Sequence, residues 1–103
     1  MSTLTEKISD FKKHLIEQER SRNTIDKYVH DTKVFLEFAD KRAMNKELVI
    51  DFKSFLGERY AVSSANSMLA AVNCFLRFIG SADLIVKPFK IQRTLFVPEE
   101  KEL

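Results

Sequence analysis

Ser63, Asn66, Ser67, Ala70, Asn73 and Arg77 fall at helical intervals along one stretch of the chain. On a helix that spacing puts them on one side. Apart from Arg77 they are small or hydrogen-bonding, and no acidic residue occurs between Tyr60 and Ala82. A solvated helix face ordinarily carries both signs of charge. A small, polar face free of negative charge can approach the groove of a duplex closely, where Ser and Asn donate to phosphates or base edges. The same face can pack against another protein through its small side chains.

A second group lies earlier in the chain. Asn23, Lys27, His30, Val34 and Lys41 share the side of a helix opposite its apolar stripe, with Arg22 just before the first turn. The free N–H groups and dipole of a helix start favour an anion. Arg22, Asn23, Thr24 and Lys27 add donors around that point. Asp26, Asp31, Glu37 and Asp40 are interspersed, which also suits an ordinary solvated face. A third group, Lys87, Lys90 and Arg93, meets no acid until Glu99. An extended basic strand can track a phosphate backbone, and a plain linker can have the same composition.

Catalytic and metal chemistry finds little support. His14 and His30 lie on different helical stretches without metal-ligand neighbours, and both read as surface residues. The single cysteine, Cys74, allows no internal disulfide and no cysteine zinc site, and reads as a small hydrophobe. There is no Gly-rich phosphate loop and no HExxH or GxSxG pattern. No catalytic residue, metal or cofactor is expected of this chain.

The elements that would carry these groups are helices. The chain has 103 residues, 45% hydrophobic, with nine Phe, no Trp and only two Gly and two Pro. That is core enough for one domain and too few turn residues for an all-β fold. Net charge is +2, from 17 basic and 15 acidic residues, so any polyanion partner must be read from where the charges sit. No apolar run reaches membrane-spanning length and no signal peptide opens the chain, so a cytoplasmic location is expected.

Four helices are predicted. The first spans about Leu4 to Glu19, with Thr3 and Glu6 as a capping box and Leu4, Ile8, Phe11 and Leu15 as its stripe. The second runs from about Asn23 to Lys41, capped by Ser21 or Asn23, with Ile25, Tyr28, Val29, Thr32, Phe35, Leu36 and Ala39 inward. Val34 and Phe38 fall off that face. The third is capped by Asn45, buries Leu48, Val49, Phe52, Phe55 and Leu56, and is expected to end with help from Gly57. The fourth starts at Ser63 or Ser64, stops at Gly80 and buries Met68, Leu69, Val72, Phe75, Leu76 and Ile79. A short helix around Ala82 to Val86 and an extended segment after Pro88 complete the prediction.

"RSRNTIDKYVHDTKVFLEF" resembles the S-x-N-T-x-x-x-Y-x-x-D-x-x-x-F-x-x-F pattern of tyrosine recombinases, the phage integrase family, at Ser21, Asn23, Thr24, Tyr28, Asp31, Phe35 and Phe38. "SSANSMLAAVNCFLRFIG" is similar to the family's later helix, with its F-x-x-F end at Phe75 and Phe78. "VKPFKIQRTLFVPEEKEL" is similar to its exit segment, with Lys87 where many relatives carry Asn. The resemblance implies an all-α, four-helix, SAM-like orthogonal bundle with a short C-terminal helix or extended basic linker. It implies a core-binding domain over residues 1–86 and a linker, 87–103, to a catalytic domain that the chain lacks. That missing domain would carry the nucleophilic tyrosine, so neither Tyr28 nor Tyr60 is expected to be it. The first helix follows Met1 at once, which leaves no room for an arm-binding domain and suggests a Xer-like architecture.

The implied partners are double-stranded DNA, the catalytic domain and further recombinase protomers on DNA, with the isolated fragment a monomer and no membrane involved. The DNA-binding residues expected are Arg22, Asn23, Thr24, Lys27, His30, Ser63, Asn66, Ser67, Asn73, Arg77, Lys87, Lys90 and Arg93. The competing reading is a helical protein-interaction domain that never touches DNA.

Overall fold

The structure, a computed structural model, describes residues 4–40 and 42–90, with side chains from Glu6 onward. The described residues contain four α-helices: α1 (Leu4–Glu17), α2 (Arg22–Ala39), α3 (Lys46–Arg59) and α4 (Val62–Phe78). A single 3₁₀ turn, Ala82–Leu84, follows α4, and the chain then continues without regular structure to Lys90. The expected Thr3 cap of α1, and Lys41, Arg93 and Glu99, lie outside the described residues.

The helix ends follow local chemistry. Ser21 holds an extended backbone and its Oγ accepts the Thr24 N–H at 3.2 Å, which starts α2. Asn45 caps α3 in the same way, its Oδ1 accepting the Leu48 N–H at 2.9 Å. Glu47 in the first turn of α3 and Arg59 in its last suit the helix dipole. α4 begins differently from expectation. Its cap position is Ala61, one residue before Val62, and no side chain bonds its first turn. Its end is as the sequence suggests: Gly80 takes φ of +82°, with Gly80 N–H donating to Arg77 O and Ser81 N–H to Leu76 O. That pair of hydrogen bonds closes the last turn and needs the left-handed conformation that glycine tolerates. α1 ends with the same pattern, but Glu19 occupies the left-handed position at φ 58° while Arg20 N–H reaches back to Leu15 O.

The core fills along the predicted stripes. Phe11, Leu15, Phe35, Leu48, Val49, Phe52, Leu56, Ala65, Val72, Phe75 and Leu76 are fully buried. Phe11 meets Phe75 edge-on, with centroids 5.3 Å apart, and joins α1 to α4. Phe35, Phe38, Phe52 and Phe55 form a second aromatic group joining α2 to α3. Phe38, which falls off the main stripe of α2, thus packs on Phe52 and Phe55, and Val34 also packs on the core. Burying a Phe side chain contributes about 1.5–3 kcal/mol, so these rings are large terms in the stability.

Three expectations change. His14 is not a free surface residue: it is half-buried, its ring 4.8 Å from that of Phe78. Asp31 is not one of the exposed charges on α2, being 4% exposed and ion-paired with Lys27 one helical turn earlier. Gly57 does not end α3, which continues to Arg59. A Cβ on Gly57 would stand 2.8 Å from the Phe89 ring, so the glycine makes room for a side chain arriving from the far end of the chain.

Candidate nucleic-acid interface

α2 and α4 pack side by side and supply most of the expected polar residues. Lys27, His30 and Asp31 of α2 share an open hollow of about 310 Å³ with Tyr60 and with Ser64, Ser67 and Met68 of α4. A second hollow, about 320 Å³, is lined by Arg20 and Tyr28, by Asn66, Leu69, Ala70, Asn73, Cys74 and Arg77 of α4, and by Pro88. The residues just before α2 thus reach the last turn of α4, and the middle of α2 reaches its first turn. The two helices run in opposite senses along one face.

Each expected residue other than Arg93, which lies outside the described residues, has a definite place. Arg22 and Asn23 are exposed in the first turn of α2. Thr24 is half-buried, and its Oγ1 accepts from Ser21 Oγ at 2.9 Å. His30 is exposed. Lys27 keeps its side chain 42% exposed while its ammonium pairs with Asp31, so its charge is locally balanced in the free protein. Ser63, Ala70 and Arg77 are exposed along the middle of the α4 strip, and Ser67 is half-buried on the α2 side. Lys87 and Lys90 are exposed.

Asn66 and Asn73 depart from the expectation of free groups on an outer stripe. Asn66 Nδ2 donates to Phe89 O at 2.9 Å and its Oδ1 accepts from Phe89 N–H at 2.7 Å. Asn73 Nδ2 donates to Val86 O at 3.0 Å and its Oδ1 accepts from Val86 N–H at 3.4 Å. The geometry follows from two repeats. Seven residues of helix rise about 10 Å, and three residues of extended chain cover about 10 Å. Two carboxamides seven apart can therefore each satisfy one residue of an extended segment at three-residue spacing. The segment runs antiparallel to α4.

Further contacts hold the same segment. Phe89 fits over Gly57, Lys53 Nζ lies 4.9 Å from its ring centroid, and Lys46 Nζ donates to Ile85 O at 2.6 Å. Val86 is 6% exposed. The residues expected to open a linker, 87 to 90, are thus held by their neighbours against α3 and α4.

The strip of α4 between this docked segment and α2 stays open. No Asp or Glu lines the larger hollow, and α4 has no acidic residue in its first turn. Among the described residues Lys27 pairs with Asp31 and Arg42 with Asp51, and Arg20, Arg22 and Arg77 belong to neither pair. Arg20 instead lies over the Tyr28 ring, 5.8 Å from its centroid. Cys74, in the same hollow, has its thiol pushed up by burial, with the positive charges of Arg20 and Arg77 acting the other way. Among the described residues no cluster of His, Cys, Asp or Glu could hold a metal ion, and no helix is long and apolar enough to cross a membrane.

A family model for the phage integrase N-terminal SAM-like domain matches residues 8–82. The chain belongs to that family. No curated protein and no solved structure matches it. The integrase-type domain is all-α, and its match runs from the first turns of α1 to the 3₁₀ turn, stopping short of the docked segment. This is a recombinase-associated domain, and every residue lining the two α2–α4 hollows except Pro88 lies within the matched region.

Sequence reasoning missed Arg20, Ser64 and Cys74 as members of this surface. By sequence Ser64 reads as a helix cap and Cys74 as a small hydrophobe. Arg20 precedes the periodic part of α2, so no helical wheel includes it. The signal for it was the terminal turn of α1, which carries a non-glycine residue where the chain must reverse.

Proposed function

We propose that this domain is the DNA-binding module of a site-specific tyrosine recombinase, gripping one face of the recombination-site duplex. The observation that carries the reading is the open α2–α4 strip, where Arg20 and Arg77 line the larger hollow with no Asp or Glu and, like Arg22 exposed at the start of α2, stand outside the ion pairs. Guanidinium groups suit phosphate because their planar donors match two of its oxygens. Arg22 lies at the start of α2, where helix N–H groups favour an anion, and the uncapped first turn of α4 offers the same at Val62, Ser63 and Ser64.

In this reading Arg20, Arg22, Lys27 and Arg77 hold phosphates. Asn23, Thr24, His30, Ser63 and Ser67 sit where a groove edge would pass. Lys87, Lys90 and Arg93 follow the backbone as the chain leaves. Asn66 and Asn73 support the surface by fixing its border. Lys27 must exchange Asp31 for phosphate, which reduces its net contribution. The reaction itself would belong to a catalytic domain of the full protein, with further protomers joining on paired sites.

The test is anisotropy of two unrelated labelled duplexes titrated with the chain at several salt concentrations. If four phosphates are engaged, affinity falls about a hundredfold between about 50 and 200 mM salt. Similar affinities for both duplexes are expected from the isolated module, since the phosphate terms dominate. No binding at low salt overturns the reading and favours a helical protein-interaction domain.

A further inference from the structure

The hollow between the start of α2 and the end of α4 has a composition that neither the fold nor the family match accounts for. Arg20 and Arg77 come from different helical units, yet both line it, and no Asp or Glu does. Bringing two guanidinium groups into one concave site without a carboxylate raises the local potential and disfavours the empty state. The remaining polar liners suit an oxyanion. The Asn73 amide is committed to Val86, so it fixes the wall instead of competing for the ligand. The Tyr28 ring lies beneath Arg20 and limits its rotamers. Arg20 is aimed there by the chain reversal at Glu19, closed by the Arg20 N–H bond to Leu15 O. Cys74 lies in the same hollow and feels both arginines.

We propose that Arg20 and Arg77 together seat a single phosphate of the duplex backbone in this hollow. The inference rests on the DNA-binding reading and deepens it, because it makes two separate arginines one site. The shared ligand chemistry is a phosphate oxyanion, which a free anion could also supply.

Cys74 is the chain's only cysteine, so its alkylation reports this hollow alone. The first experiment measures the rate of Cys74 alkylation by the neutral reagent N-ethylmaleimide, with no addition, with a duplex, and with inorganic phosphate against chloride at matched ionic strength. Anisotropy is read on the same samples. Bound duplex is expected to slow alkylation severalfold and phosphate to slow it less. A duplex that binds by anisotropy but leaves the rate unchanged overturns the seat and leaves the DNA reading standing. Protection by inorganic phosphate with none from bound duplex overturns the backbone assignment. A duplex that does not bind overturns both.

The second experiment compares Arg20→Ala, Arg77→Ala and the double variant in DNA titrations over salt. Each single variant is expected to weaken binding about tenfold, the usual scale for a charged hydrogen-bonding group. Because the two act on one phosphate, the double variant should weaken binding by less than the product of the singles. Its salt slope should fall by about one unit. Independent, multiplicative losses with a fall of about two units would mean separate phosphates and would overturn the shared seat.

Discussion

The two edges of α4 are built from similar residues and have opposite fates. On one edge Asn66 and Asn73 are saturated by the backbone of Phe89 and Val86. Over the rest of the strip, the side chains of Ser63 and Arg77 along its middle and of Ser67 at the α2 edge form no hydrogen bonds or ion pairs with described residues. A polar helix face is therefore not one kind of surface. A carboxamide carries its donor and its acceptor on two separate atoms, so it can bond the N–H and the C=O of one residue side by side, whereas a hydroxyl has both on a single oxygen and a guanidinium accepts nothing. The edge with amides has become structural, and the edge with hydroxyls and a cation remains open to a ligand.

The sharpest way to break this comparison is to empty the structural edge. Phe89→Ala removes the ring from its place over Gly57 and from Lys53. Because Phe89 is half-buried, the loss should be below that of a core Phe, about 1–3 kcal/mol. Denaturant titration reads the loss, and hydrogen exchange should show lost protection at the Val86 and Phe89 amides. Unchanged exchange would mean that the two asparagines alone hold the segment.

A pair of acidic substitutions separates the edges more finely. Asn66→Asp keeps an acceptor for the Phe89 N–H but turns a carboxylate toward the Phe89 carbonyl. It should destabilise the fold by about 1–3 kcal/mol. Ser63→Asp puts the same charge on the open edge, in the first turn of α4. There it should add about 0.3–1 kcal/mol of stability through the helix dipole. The same substitution should weaken DNA binding about tenfold or more through like-charge repulsion. Equal stability effects from the two variants would erase the distinction between the edges.

The smallest expected effect lies on neither edge and serves as a control. Thr32 is fully buried in α2 and its Oγ1 has no hydrogen-bond partner among the described residues. Thr32→Val keeps the shape and removes the unsatisfied hydroxyl, so it should raise stability by up to about 1 kcal/mol. DNA affinity should not change. Thermal denaturation and the same anisotropy titration check both statements.

Much of the helical framework could be read from the sequence because it is written locally. Phe11, Leu15, Phe35, Phe52 and Phe75 recur at helical period, and Ser21, Asn45 and Gly80 each mark an end through their own side chain or its absence. The misread residues answer to distant partners. Asn66 bonds a residue 23 positions away and Asn73 one 13 away, beyond any window in which periodicity operates. Gly57 looked like a terminator because its reason, the Phe89 ring, arrives after a proline in a stretch without pattern. Asp31 looked solvated because its charge gave no hint of burial, although Lys27 at i−4 was the partner it required.

The paired asparagines also set a mechanical property. One anchor point would let the departing chain swivel about it. Two anchors about 10 Å apart along α4 define a line, and a line resists rotation as well as displacement. With Phe89 wedged over Gly57, the segment behaves as a splint. A torque applied beyond Lys90 is passed to α4 as a rigid body, together with the edge that carries Ser63, Ser67 and Arg77. The direction in which the polypeptide leaves this domain and the orientation of its open face are thus one degree of freedom.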